Sequence, residues 1–153
     1  VAIATPSVTE CNLVVAECIV VRAVKADAAY FTYVDATSNN VKYDVIGMSY
    51  YPYWINSDYT VTINNLSANL NDMVSRYGKE VMIVEVGGDY TLVQNTHDML
   101  VAVISAVKNV PNNKGLGVIY WEPEGEKSWS GYQLNCWQSN GKPSPALDAF
   151  KEN

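Results

Sequence analysis

Apolar residues in this chain follow two alternating patterns: short continuous runs rich in β-branched residues, and longer stretches where they recur every third or fourth position. Val81-Met82-Ile83-Val84-Glu85-Val86 is the run around which the rest is organised. It is apolar on both alternating faces, as a strand buried in a parallel sheet is, and it carries one carboxylate before Gly87-Gly88. Asp44 to Tyr51 and Leu116 to Pro123 have the same character. Pro52 and Pro123 stop them, because proline cannot donate to a β-ladder. Between the runs, Ile63, Leu66, Leu70, Met73, Val74 and Tyr77 form one stripe that predicts an amphipathic helix over 61–77, with Gly78 at the left-handed position that ends it. Met99, Leu100, Val103, Ile104 and Val107 predict a second helix from about Thr96, closed by Pro111. A loop with Trp129, Tyr132 and Trp137 follows, and Pro145 to Phe150 reads as a short closing helix.

The first 26 residues are the least legible. Leu13 to Val21 is apolar but interrupted by Glu17 and Cys18, a pattern that fits a strand or a buried helical segment; a strand over 18–24 is preferred. Ala26 to Ala36 has helix-compatible spacing of Tyr30, Phe31 and Val34, ended by the turn residues Ser38-Asn39-Asn40. The resulting order, strand and helix four times over, with short turns on one side and long aromatic loops on the other, predicts an α/β fold with a parallel sheet, of the (β/α)8-barrel type. A full barrel needs eight such units and typically about 250 residues. This chain of 153 residues holds about four, so half a barrel is expected, as one partial domain over 1–153 with 1–26 poorly assigned.

Composition narrows the partners. Eleven tyrosines and 4 tryptophans stand against 2 phenylalanines, a bias toward rings with a polar handle that suits a wet, sugar-binding cleft as well as a core. The net charge of −6, with no basic run, argues against nucleic acid and anionic membrane. No apolar run approaches the length of a bilayer span. The chain opens at Val1 without a charged n-region and cleavage site, so any export signal is expected to lie outside these residues; the expected location is secreted or extracellular. His97 stands alone, and Cys11, Cys18 and Cys136 have no metal-ligand spacing, so no metal or cofactor is expected.

A charge at the end of a buried strand belongs at the mouth of the sheet, where unpaired burial is avoided and where α/β proteins gather their chemistry. Glu85 is therefore the first candidate for a working residue. Glycoside hydrolysis needs two carboxyl groups, and Glu122 closes the next strand. Strand parity argues against that pair: if Trp121 faces the mouth, Glu122 faces away unless a bulge intervenes, and a supporting polar role suits it better. His97 near a helix start suits a surface role. Ser49 lacks a nucleophile elbow. Gly87-Gly88 reads as a tight turn.

Asp44-Val45-Ile46-Gly47-Met48-Ser49-Tyr50-Tyr51-Pro52-Tyr53-Trp54 resembles the sixth-strand signature of glycoside hydrolase family 53, the endo-β-1,4-galactanases. Arg76 to Glu85 is similar to the seventh strand of that family, Gly115 to Pro123 to its eighth, and Asn140 to Phe150 to its closing segment. The resemblance covers roughly 27–153. It implies a retaining mechanism on β-1,4-galactan or arabinogalactan with Glu85 as nucleophile, Tyr50 or Tyr51 orienting it, and Trp121 as the floor of the sugar site; Trp54 joins Tyr50, Tyr51 and Trp121 among the expected substrate contacts. The family's acid/base glutamate follows an asparagine, and no Asn-Glu dipeptide occurs in this chain. A C-terminal half-barrel with a nucleophile and no partner acid is thus expected. Two other outcomes compete with catalysis: a non-catalytic galactan-binding fragment, and a half-barrel that self-associates through exposed sheet edges.

Overall fold

The computed structural model describes residues 18–22, as backbone, and 43–151. Four strands form one parallel sheet in the order β1 (Cys18–Arg22), β2 (Val45–Tyr50), β3 (Glu80–Val86) and β4 (Gly115–Tyr120). Helices α1 (Tyr59–Tyr77) and α2 (Val93–Lys108) make the crossovers that parallel neighbours need, and they pack against the sheet. A short helix α3 (Lys127–Ser130) and a closing 3-10 turn, Pro145–Phe150, follow β4. This is a partial α/β barrel of parallel strands, as the alternating pattern predicts. The helix expected over 26–36 lies outside the described residues.

The boundaries have local causes. Asp58 caps α1, accepting from the Thr60 amide at 2.9 Å, and so starts the helix two residues before the apolar stripe suggested. Gly78 closes it at φ 64°, where a side chain would be strained. The core lies between sheet and helices: Ile46, Met48, Val81, Ile83 and Val86 from the strands meet Leu66, Leu70, Met73, Leu100, Val103 and Val107 from α1 and α2. Among the described residues no helix is long and apolar enough to cross a membrane.

Two expectations need correction. The run Leu116 to Pro123 is apolar on both faces, yet Leu116 and Ile119 are about half exposed, at 48% and 49%. β4 is an edge strand, and among the described residues nothing covers its outer flank. Gly87-Gly88, expected as a tight turn, form no turn, and neither residue has a positive φ. Gly87 is needed for close approach: a Cβ there would stand 2.9 Å from the Trp121 carbonyl oxygen.

Candidate active site

Strict alternation along β3 would put Glu85 on the same face as Val81 and Ile83, among the helices. The pairing with β2 breaks that alternation. Ile46 pairs with Val81, Met48 with Ile83 and Tyr50 with Val86, whereas Ser49 pairs with Glu85, which leaves Val84 as an extra residue. The Tyr50 hydroxyl meets Thr62 of α1, so the Ile46–Met48–Tyr50 series faces the helices. Glu85, beside Ser49, therefore faces the other way, on the side of the sheet away from α1. The bulge re-aims the carboxylate while Val81, Ile83 and Val86 all stay fully buried.

The two adjacent tyrosines at the end of β2 divide by the same parity. Tyr51 donates from its hydroxyl to Glu85 Oε2 at 3.4 Å. Tyr50, expected among the orienting or sugar-binding residues, does not share this site. It is 7% exposed, its hydroxyl lies 2.7 Å from Thr62 Oγ1, and burial pushes its pKa up to about 12. It is a core tyrosine bracing α1 on the sheet.

Trp121 leaves β4 next to the nucleophile candidate's strand: its amide donates to the Val86 carbonyl at 2.9 Å. Its side chain is 52% exposed, as a ring offered to a ligand must be. The Trp121–Glu122 peptide is cis. Regular strand parity does not govern Glu122, because β4 ends at Tyr120. Its half-buried carboxylate packs by Gly125 and Asn135, and its charge is felt at Tyr132. Trp54, on the 3-10 turn Pro52–Ile55 that follows β2, is 47% exposed and stands edge-on to Tyr53 with ring centroids 4.9 Å apart.

Tyr132 was visible in the sequence only as one aromatic of the tail loop. In the structure it is half-buried, lies close to Tyr51, and feels the charges of both Glu85 and Glu122. Burial, with the neighbouring Tyr132 and Glu85, holds the Tyr51 hydroxyl protonated well above the usual tyrosine range. Burial likewise raises Tyr132.

The loops that carry these groups are tied together. The Tyr90 amide donates to the Gln133 carbonyl at 3.1 Å, Gln133 Nε2 to Asp89 Oδ1 at 3.0 Å, and Lys127 Nζ to Gln133 Oε1 at 3.0 Å. Burial works against the charge on Asp89, yet hydrogen bonds from Thr91 and Gln133 and the Lys127 charge hold its carboxyl below the ordinary aspartate range. The buried Tyr120 hydroxyl donates to the Leu134 carbonyl at 2.9 Å and accepts from the Gly88 amide at 3.2 Å. Away from this cluster, His97 is partly buried on α2 with Nδ1 3.0 Å from Asp98, and Cys136 is a buried free thiol that burial pushes up to about 11. Among the described residues no group of three His, Cys, Asp or Glu side chains could hold a metal ion.

The arrangement holds a carboxylate that accepts from a tyrosine hydroxyl, with an exposed indole on the segment bonded to the next residue of β3. Comparison with known proteins gives that arrangement a family. The family model for glycosyl hydrolase family 53 matches residues 15–150. The chain is 33% identical over 109 residues to the endo-β-1,4-galactanase of Bacillus subtilis (57% of this chain, 24% of that protein). It is 35% identical over 96 residues to the arabinogalactan endo-β-1,4-galactanase of Humicola insolens (53% of this chain, 28% of that protein). Among solved structures it is similar to the Ignisphaera aggregans GH53 catalytic domain, with a TM-score of 0.68 and 23% identity over 88% of this chain and 45% of that domain. The chain thus spans about a quarter of the length of these two galactanases and under half of the solved domain. A model match over residues 15–150, nearly the whole chain, makes it a member of glycosyl hydrolase family 53.

Proposed function

We propose that this chain carries the nucleophile half of a retaining β-1,4-galactanase site, with Glu85 as nucleophile, Tyr51 as the group that orients it, and Trp121 and Trp54 as the rings against which galactose units of galactan or arabinogalactan stack. The observation that carries the reading is the β3 bulge, which turns Glu85 to the face away from α1, where the Tyr51 hydroxyl meets it. The galactanases it resembles support the substrate class.

In such a mechanism a carboxylate oxygen of Glu85 attacks the anomeric carbon, and the bonding pair of the glycosidic link leaves with the departing oxygen. Water then opens the glycosyl ester, so the anomeric configuration is retained. The departing oxygen of galactan needs a proton, and a positioned acid is worth about 10²–10⁴-fold. With no Asn-Glu dipeptide in these residues, the proton donor comes from outside them, and a substrate whose leaving group departs as a stable phenolate is the one this half-site can process. We treat 1–153 as one partial barrel domain and its working location as extracellular, because a cell-wall polysaccharide is met outside the cell.

The experiment is turnover of galactan and of an activated aryl β-galactoside, each compared with Glu85→Gln, alongside calorimetric binding of galactan oligosaccharides. The reading requires aryl galactoside cleavage that Glu85→Gln abolishes; cleavage that survives the substitution contradicts it. Binding without any turnover selects a non-catalytic galactan-binding fragment.

One observation favours a further reading, self-association. β4 presents Leu116 and Ile119 at a sheet edge, and unpaired edges with exposed apolar residues pair readily. A mass near twice that of the chain, rising with concentration, is its signature.

A further inference from the structure

We propose that the cavity between the loop after β3 and the tail after β4 is a second sugar site, separate from the Glu85 cleft, where Asn135 accepts a hydroxyl of one neutral glycosyl unit. The cavity holds about 480 Å³, and none of Glu85, Tyr51, Trp54 and Trp121 lines it. Pockets that take small ligands span roughly 300–1,000 Å³.

Asn135 carries the inference. It is 1% exposed and lines the cavity. Its Nδ2 donates to the Tyr132 carbonyl at 2.5 Å, which fixes the way the amide lies, because a flipped amide would set two acceptors against each other. Oδ1 is therefore a buried acceptor, and it has no hydrogen-bond partner among the described residues. Native structures satisfy nearly all such atoms, and an unpaired one is costly. A donor is expected from the cavity that Asn135 lines.

The other walls say what that donor belongs to. Tyr90 and Trp137 contribute rings, and Val93 adds apolar surface. The tail that carries Trp137 is held in shape: Trp137 pairs with Pro143, and the Ser144 amide donates to the Cys136 carbonyl at 2.8 Å. On the facing loop, the Tyr90 amide is tied to the Gln133 carbonyl. Two charges also line the space, and both are engaged. Lys127 Nζ donates to the Gly131 carbonyl at 2.9 Å and to Gln133 Oε1 at 3.0 Å, while Glu126 Oε2 accepts from the Ser128 amide at 3.0 Å. One cation and one anion, each already partnered, favour neither sign on a ligand. A flat face of C–H groups for the rings, with a hydroxyl for the unpaired acceptor, is what a sugar presents. Galactose is the probe because of the galactan reading above, and the inference rests on that reading only for this choice.

The test follows the Trp137 indole N–H in a proton–nitrogen correlation spectrum as galactose is titrated into the full chain, with Trp137→Phe assigning the peak. Two forms have the cleft impaired or filled: Trp121→Ala, and protein labelled on Glu85 by a deoxyfluoro-β-galactoside with a dinitrophenolate leaving group, which labels a nucleophile without needing an acid. A saturable shift is expected in the wild type and in both forms. In the Trp121→Ala background, Asn135→Leu, which keeps the size of the side chain and removes the acceptor, should weaken binding about fivefold. Ser139→Trp, at an exposed point of the wall, should fill the space and abolish the shift, and it keeps the test decisive should Asn135→Leu fold poorly. No saturable shift in Trp121→Ala overturns the site, as does a shift that Ser139→Trp leaves unchanged or a folded Asn135→Leu that binds like its parent. Galactosamine binding more than about tenfold tighter than galactose would overturn the neutral ligand class. If Glu85 takes no label, the galactanase reading fails, and the Trp121→Ala titration still decides the cavity.

Discussion

Tyr50 and Tyr51 are neighbours in sequence with opposite duties, and that contrast gives the sharpest residue-scale tests. Tyr51→Phe removes a donor to a charged carboxylate and is expected to slow labelling of Glu85 by about 10- to 100-fold with little change in melting temperature. Tyr50→Phe should do the reverse: it leaves Thr62 Oγ1 without its tyrosine partner and costs about 1 kcal/mol in a urea melt, with labelling unchanged. Tyr50 also makes stability depend on alkaline pH. Its folded pKa of about 12 lies above the ordinary 10.0, so the folded state holds the proton more tightly than the unfolded chain. Its contribution is complete below pH 10.0 and is lost as pH rises through about 12. Urea melts at intervals above pH 10.0 should therefore show a falling unfolding free energy, and the fall should be shallower in Tyr50→Phe.

At the scale of elements, the amphipathic stripes, the buried strand and the left-handed end of α1 could all be read from spacing, because period and punctuation are local properties. Gly78→Ala tests one of them: open space surrounds the position, so its cost of about 1 kcal/mol would come from the backbone alone. Asp58→Ala should cost a similar amount, about 1 kcal/mol, by uncapping α1 and releasing Asn95 at the start of α2. The bulge at Val84 was not legible, since it is set by how β3 registers against β2 and not by β3 itself. Without it, parity would have sent Glu85 into the helix layer. The place of Glu85 near a strand end is legible in the sequence; the bulge that turns it is not. Nor did spacing reveal Tyr132, which comes near Tyr51 and Glu85 only after the tail loop folds back. The half-exposure of β4 escaped the sequence for a related reason: an apolar run records a strand built for two neighbours and says nothing of which neighbour is there.

At the scale of the whole molecule, the described residues form a sheet of four parallel strands packed against helices, and the proposed chemistry lies at the C-terminal ends of β2, β3 and β4. Closed barrels abolish sheet edges, and this sheet retains β4 as one. If that edge drives association, Ile119→Lys should return the chain to its monomer mass in sedimentation at every concentration, with the fold intact; a dimer that persists in the variant places the contact elsewhere. The account as a whole stands on the direction in which one carboxylate points. Mass-spectrometric mapping of the chain after reaction with the deoxyfluoro-galactoside measures this most directly. A galactosyl adduct on Glu85, absent from Glu85→Gln, is the predicted result. An adduct on Glu122 or another carboxylate, with Glu85 unmodified, would contradict it.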